Sequence, residues 1–221
     1  MTVPGLDHLD TMQLVALAAA LGWASGIRLY AVLFIVGAVG FLGWYDLPHG
    51  LALLAHPWVL AASGFMCCIE FFADKIPAVD SLWDVVHTFI RIPAGAALAA
   101  SVFGDAPGAA TLVAAIVGGS LAAGSHLAKS GGRAVINTSP EPFSNWAASF
   151  GEDLAVGTVL WLAIAHPVAA LVVLAVLVLL MIWLIPKVWR FLRRLVERLR
   201  HGFGTAAARP GGDRPAHSID V

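Results

Sequence analysis

The stretch "MQLVALAAALGWASGIRLYAVLFIVGAVGFLG", residues 12 to 43, holds a single charged residue, Arg28. As one α-helix it would measure about 48 Å, well beyond the ~30 Å hydrocarbon core of a bilayer. The excess length, with "ASGIR" near the middle, predicts a break there. A first segment of about 14 residues, short enough to be a re-entrant half-helix, enters and turns at Ser25–Gly26. A second leaves again from Arg28. The alternative is one long, tilted first helix.

The rest of the chain points to the same solvent. Of 221 residues 59% are hydrophobic and 12% charged, with a net charge of -1, and the mean hydropathy is +0.84. Soluble domains carry roughly 25% charged residues, so a soluble fold is excluded. Residues 51–72, 92–103, 108–128, 154–165 and 167–186 are almost uncharged. The expected fold is all-α: a polytopic helical membrane bundle of six to seven segments, with a broken first helix and an internal repeat. Residues 1–10 form an extracytoplasmic N-terminus, 11–186 the transmembrane domain, 187–203 an amphipathic helix on the cytoplasmic surface and 204–221 a disordered tail. "MTVPGLDHLD" lacks the basic flank of a secretory signal peptide. Cys67 and Cys68, adjacent in an apolar run, are expected to be inert buried thiols.

Basic residues near span ends stay on the cytoplasmic side. Eight of the 13 Lys and Arg residues follow residue 186, which places the C-terminus inside. Counting back, the loops with Lys75 and with Lys129 and Arg133 are also inside, and seven segments put the N-terminus outside. "SGIR" (25–28) recurs as "SGGR" (130–133) and "AHP" (55–57) at 165–167, offsets of 105 and 110 that suggest two related halves. "GWASG" and "GGSLAAGS" space small residues for close helix packing.

Between the halves, "DSLWDVVHTFIRIPAG" (80–95) sets Asp80, Asp84, His87 and Arg91 on one helical face. From Asp80, His87 lies about 10 Å along the helix and Arg91 about 16 Å, near mid-membrane. A charge there costs about 2.5–3.5 kcal/mol on insertion scales, so Arg91 needs a carboxylate. Asp84, Glu70, Asp74, Glu152 and Asp153 are the candidates. Pro93 frees the carbonyl of Phe89, which at this depth is a candidate binding feature or a plain kink. Pro77, Ser81 and Trp83 match Pro140, Ser144 and Trp146 at an offset of 63, and beyond them Asn145, Ser149, Glu152 and Asp153 cluster at helical spacing. Both inner hairpins therefore aim polar groups at one vestibule. Arg28, His126, Lys129, Arg133 and Asn137 support it. His56, His166, Asp46 and His49 are a remote metal candidate. Metal-ligand spacings, phosphate-cradling glycine loops and nucleophile elbows are missing from the sequence, and no cofactor is expected.

"EFFADKIPAVDSLWDVVHTFIRIPAG", "HLAKSGGRAVINTSPEPFSN...ED" and "SGIRLY" resemble the signature stretches of a bacterial membrane protein family catalogued only as a domain of unknown function. The resemblance covers roughly residues 12 to 186 and implies an inner-membrane location without implying an activity. A looser likeness is to small cation/proton antiporters carrying two copies of Glu-x-Gly-Asp-Lys/Arg-Ser/Thr. Glu70, Asp74 and Lys75 here have one extra residue and no Gly, and "GED" (151–153) lacks the basic residue.

These features lead to an expected small secondary transporter or ion-conducting protein for a cation, coupled to protons. Its ion-binding residues would be Glu70, Asp74, Asp80, Asp84, His87, Arg91, Glu152 and Asp153. The competing expectations are a metal-dependent enzyme acting on lipid phosphates and a non-catalytic membrane subunit. Partners are the bilayer and a small ion or solute, with no nucleic acid; homo-oligomerisation stays open.

Overall fold

The computed structural model describes residues 10–104, 108–138 and 142–207. The N-terminal residues 1–9, Pro140 of the matched loops and the tail from 208 lie outside the described residues. Seven helical elements follow in order: α1 (Thr11–Phe41), a 3₁₀ turn (His49–Ala55), α2 (Pro57–Ala73), α3 (Pro77–Val102), α4 (Gly108–Ile136), α5 (Pro142–Ala165) and α6 (Pro167–Ala207). Four of them open on proline, whose missing N–H costs nothing in the first helical turn. Among the described residues there is no strand. Five helices are long and apolar enough to cross a membrane, and the 3₁₀ turn with α2, bent by 70°, passes the same test only as a pair, as a broken span or a re-entrant loop. The chain is an all-helical membrane bundle.

The predicted break is real and sits at Arg28, whose φ of −144° and ψ of 77° interrupt an otherwise continuous helix. The two arms of α1 fold back on each other. Leu17 lines the same groove as Ile35, Val36 and Val39; in a straight helix Leu17 and Val39 would be about 33 Å apart. Val15 and Ala18 on the first arm face Phe103 and Ala109. Gly37 and Gly40 on the second arm abut Leu54 and Leu47, and Gly50 abuts Ser101. Both ends of α1 thus lie beside the end of α3 and the start of α4, and Arg28 lies deep at the other end of the bundle, called here the polar end.

The break frees backbone carbonyls that water cannot reach, and in a membrane such groups need protein donors. Near the break α4 supplies donors: Lys129 Nζ donates to the Ile27 carbonyl at 3.2 Å, and one turn earlier Ser125 donates to the Trp23 carbonyl at 2.7 Å. Small residues permit this approach. A Cβ on Gly22 would meet Gly118 Cα at 2.6 Å, one on Gly95 would meet Ser25 Oγ at 2.5 Å, and one on Gly26 would collide with Ser125 and Ala122. "GWASG" and "GGSLAAGS" therefore serve packing.

Three expectations are corrected. Pro93 is exposed and Phe89 is 80% exposed, so the proline lies on the outer face of α3 and not on a cavity. Cys68 is exposed and Cys67 half-buried, so the thiols are not buried. The helix predicted over 187–203 has no boundary at Pro186: α6 runs through it to Ala207.

Spin labels at Met12 and Phe41, with both native cysteines replaced by serine, test the reversal by pulsed dipolar spectroscopy. The folded-back helix gives a separation within about 25 Å, whereas a straight one gives about 44 Å.

Candidate functional site

The reversal carries Arg28 to where α2 ends, α3 starts, α4 ends and α5 starts. The spacing that put Asp80, Asp84, His87 and Arg91 on one face of α3 is observed: all four are buried, whereas Val85, Val86 and Phe89 are exposed. On α4, His126, Lys129 and Arg133 at steps of three and four turn the same way, as do Asn145, Ser149 and Glu152 on α5. Two hairpins, α2–α3 and α4–α5, thus close on the break in α1.

Asp74, just past α2, is the hub of the first layer. Its Oδ2 takes Arg28 at 3.1 Å, Lys129 at 3.1 Å and Arg133 at 3.6 Å. Arg133 forms a two-pronged pair with Glu152 at 2.9 and 3.0 Å and donates through its third nitrogen to Asn145 and to the Asp74 carbonyl. Arg28 also donates to Ser149 Oγ at 2.7 Å and meets Asp153 at 3.0 Å. Both arginines of the SG-x-R repeat therefore reach the same two carboxylates, Asp74 and Glu152. Burial alone pushes the Asp74 carboxyl up, but Lys129, Arg28 and Arg133 outweigh it and hold the group below the usual carboxylate range.

The second layer lies deeper. Arg91 pairs with Glu70 at 2.6 Å and with Asp84 at 3.0 Å, two of its five predicted candidates. The guanidinium can only donate, so His126 Nδ1, 3.3 Å away, accepts and Nε2 carries the proton. Nε2 then donates to Thr88 Oγ1 at 2.7 Å, and Thr88 donates to the Asp84 carbonyl at 2.9 Å. His87 is oriented in the same manner. Its Nδ1 donates to the Trp83 carbonyl at 2.8 Å and its Nε2 accepts from Tyr30 at 3.2 Å, with the Trp83 ring stacked on it.

The predicted residues are thus gathered into one cluster with different stations. Arg28, Asp74, Lys129, Arg133, Asn145, Ser149 and Glu152 form the first layer, with Asp153 half-buried at its edge. Glu70, Asp84, Arg91 and His126 form the second. Asp80 is fully buried and takes a bond from Asn137 at 3.2 Å, and His87 stands to the side with Tyr30. Sequence reasoning missed Tyr30, Thr88 and Ser130. Thr88 and Ser130 stand four residues after Asp84 and His126, and only that spacing could have flagged them. Among the described residues no group of three or more His, Cys, Asp or Glu side chains could hold a metal ion, so the His56–His166–Asp46–His49 grouping does not form.

Five cations, counting Lys75 beside Asp153, face six carboxylates here, and the pairing is incomplete. Glu70 Oε2, Asp74 Oδ1, Asp80 Oδ1 and Asp84 Oδ2 are buried without a hydrogen-bond partner. Buried carboxylate oxygens are costly to leave unpaired.

The domain family described as "Domain of unknown function (DUF4126)" matches residues 15–187, and the chain belongs to it. Comparisons with curated proteins and with solved structures each give no match. The likeness to cation/proton antiporters has no counterpart in these findings.

Arg91→Gln leaves Glu70 buried without its ion-pair partner and Asp84 with Lys129 alone, and lowers the unfolding free energy in detergent by about 3–5 kcal/mol. An apolar replacement of the pair, Glu70→Leu with Arg91→Met, regains part of that loss. For Asp74 the sign follows from its lowered folded value: its stabilisation is complete above the ordinary value of 3.8 and is lost as pH falls through the folded one. The stability gap between the native chain and Asp74→Asn, measured by thermal unfolding, is constant from about pH 8 to 5 and shrinks only below about pH 4.

Proposed function

We propose that this member of the family is a small secondary transporter or ion-conducting protein for a cation, coupled to protons, with its polar site opening to the cytoplasm. The observation that carries the reading is the set of four buried carboxylate oxygens left unpartnered at the polar end, where six carboxylates stand against five cations. Excess negative charge in a low-dielectric interior attracts a mobile cation or protons. Glu70, Asp74, Asp84, Glu152 and Asp153 exchange the ion, and Arg91 holds Glu70 and Asp84 together between occupancies. His87, joined to Tyr30 on the α3 face that carries Asp84 and Arg91, serves as proton acceptor.

Orientation follows from the basic residues. Val188 of α6 packs against Gly131 of α4, so Lys187 and the arginines after it extend from the polar end. Basic residues at span ends mark the cytoplasmic side, which supports a multi-pass protein of the bacterial inner membrane with the polar end inside. The lipid-phosphate enzyme reading has less support. Arg28, Lys129 and Arg133, the groups that would take a phosphate, are each already held by two or more carboxylates.

Proteoliposomes containing the purified protein and a trapped pH dye test the proposal. A gradient of one alkali or alkaline-earth cation drives a proton flux that Glu70→Gln reduces at least about tenfold, equivalent to about 1.4 kcal/mol. Folded, correctly inserted protein that leaves the dye unchanged across the whole cation panel contradicts it.

A further inference from the structure

Between α3 and α4, at the polar end, lies a cleft of about 210 Å³ lined by Ser81, Asp84, Val85, Thr88, Ser130, Arg133 and Ala134. Acceptors dominate its polar lining, and Ser81 Oγ accepts from Asn137 at 3.1 Å. Thr88 has committed its proton to the Asp84 carbonyl and Ser130 its proton to the His126 carbonyl, at 2.9 and 2.7 Å. Each hydroxyl therefore offers the cleft a lone pair and no donor. Asp84 is 3% exposed; its Oδ1 faces Arg91 and Lys129, and its Oδ2 has no partner. The one cation in the lining, Arg133, is spent: its nitrogens are directed at Glu152, Asn145 and Asp74.

Thr88, Ser130 and Arg133 offer an anion no uncommitted proton, whereas a cation finds three oxygen acceptors on Asp84, Thr88 and Ser130. We infer that this cleft is the cation-binding subsite, and that it takes a small monovalent cation through Asp84 Oδ2, Thr88 Oγ1 and Ser130 Oγ. One carboxylate with hydroxyl oxygens suits a hard, singly charged ion, since divalent ions of this type gather several carboxylates. A volume of about 210 Å³ admits such an ion with several waters, each of about 30 Å³. The subsite also explains why Asp84 meets Arg91 through one oxygen only: the other is reserved for the ion, and occupancy weakens the hold of Asp84 on Arg91. This inference rests on the cation-transport reading, but it concerns binding.

The test is therefore a binding measurement on the full-length protein in detergent. Thermal stability is followed against added Li⁺, Na⁺ or K⁺ at constant ionic strength, with N-methylglucamine chloride as the balancing salt. One of the three ions gives a saturable rise in melting temperature. Ser130→Ala, which loses a single hydroxyl, raises the half-saturating concentration about three- to tenfold, and Ala134→Leu, which fills the cleft without touching a charge, abolishes the rise. No saturable response to any of the three ions overturns the inference, as does a response unchanged by both variants. Saturable binding that both variants weaken, in protein that moves no cation in liposomes, keeps the subsite and removes the transport reading. Cation transport that neither variant alters keeps transport and removes the subsite.

Discussion

A helix that turns back inside a membrane must give its broken backbone new partners, and here that need brings the two halves of the chain together. Arg28 has the extended φ and ψ that end one arm of α1 and begin the other. The carbonyls near the break are taken by Ser125 and Lys129. The guanidinium, 1% exposed, is taken by Asp74 after α2 and by Ser149 and Asp153 on α5. An arginine this deep is unfavourable unless paired. The break and the charge therefore have the same remedy: polar groups from both hairpins.

That remedy overshoots. Three cations on Asp74 hold its carboxylate ionised, and Arg133 takes both oxygens of Glu152. Deeper, Arg91 alone holds Glu70 and shares Asp84 with Lys129. Oxygens are left over in both layers. A network built only to stabilise would do better with fewer charges, because buried ion pairs seldom repay their desolvation. On the proposed reading, the surplus of carboxylate oxygens is what would draw a mobile cation, and the cleft beside Asp84 is where the inferred subsite would hold it.

Much of this was legible in the residues, for identifiable reasons. The length of residues 12–43 against the bilayer forced the break. The spacing of Asp80, Asp84, His87 and Arg91 gave the face of α3, because charge marks the interior of a membrane helix as apolarity marks that of a soluble one. The SG-x-R repeat singled out Arg28 and Arg133, which meet the same acids. What stayed hidden was partner choice and apolar orientation. Nothing in the sequence separates Glu70 from Asp74 as the partner of Arg91, since both stand on the same hairpin one turn apart. Lipid-facing and core-facing apolar side chains look alike in a membrane protein, so the outward turn of Pro93, Phe89 and Cys68 had no signature.

The coupling between Arg28 and Asp74 tests the central claim most directly, since these two side chains join the break in α1 to the first hairpin. A double-mutant cycle with Arg28→Gln and Asp74→Asn, read by reversible unfolding in detergent, isolates that term. The account predicts a coupling energy of about 2 kcal/mol, near the upper part of the range for contacting charges. Effects that add to within about 0.5 kcal/mol would contradict it, because the two residues would then not be partners at the centre of the fold.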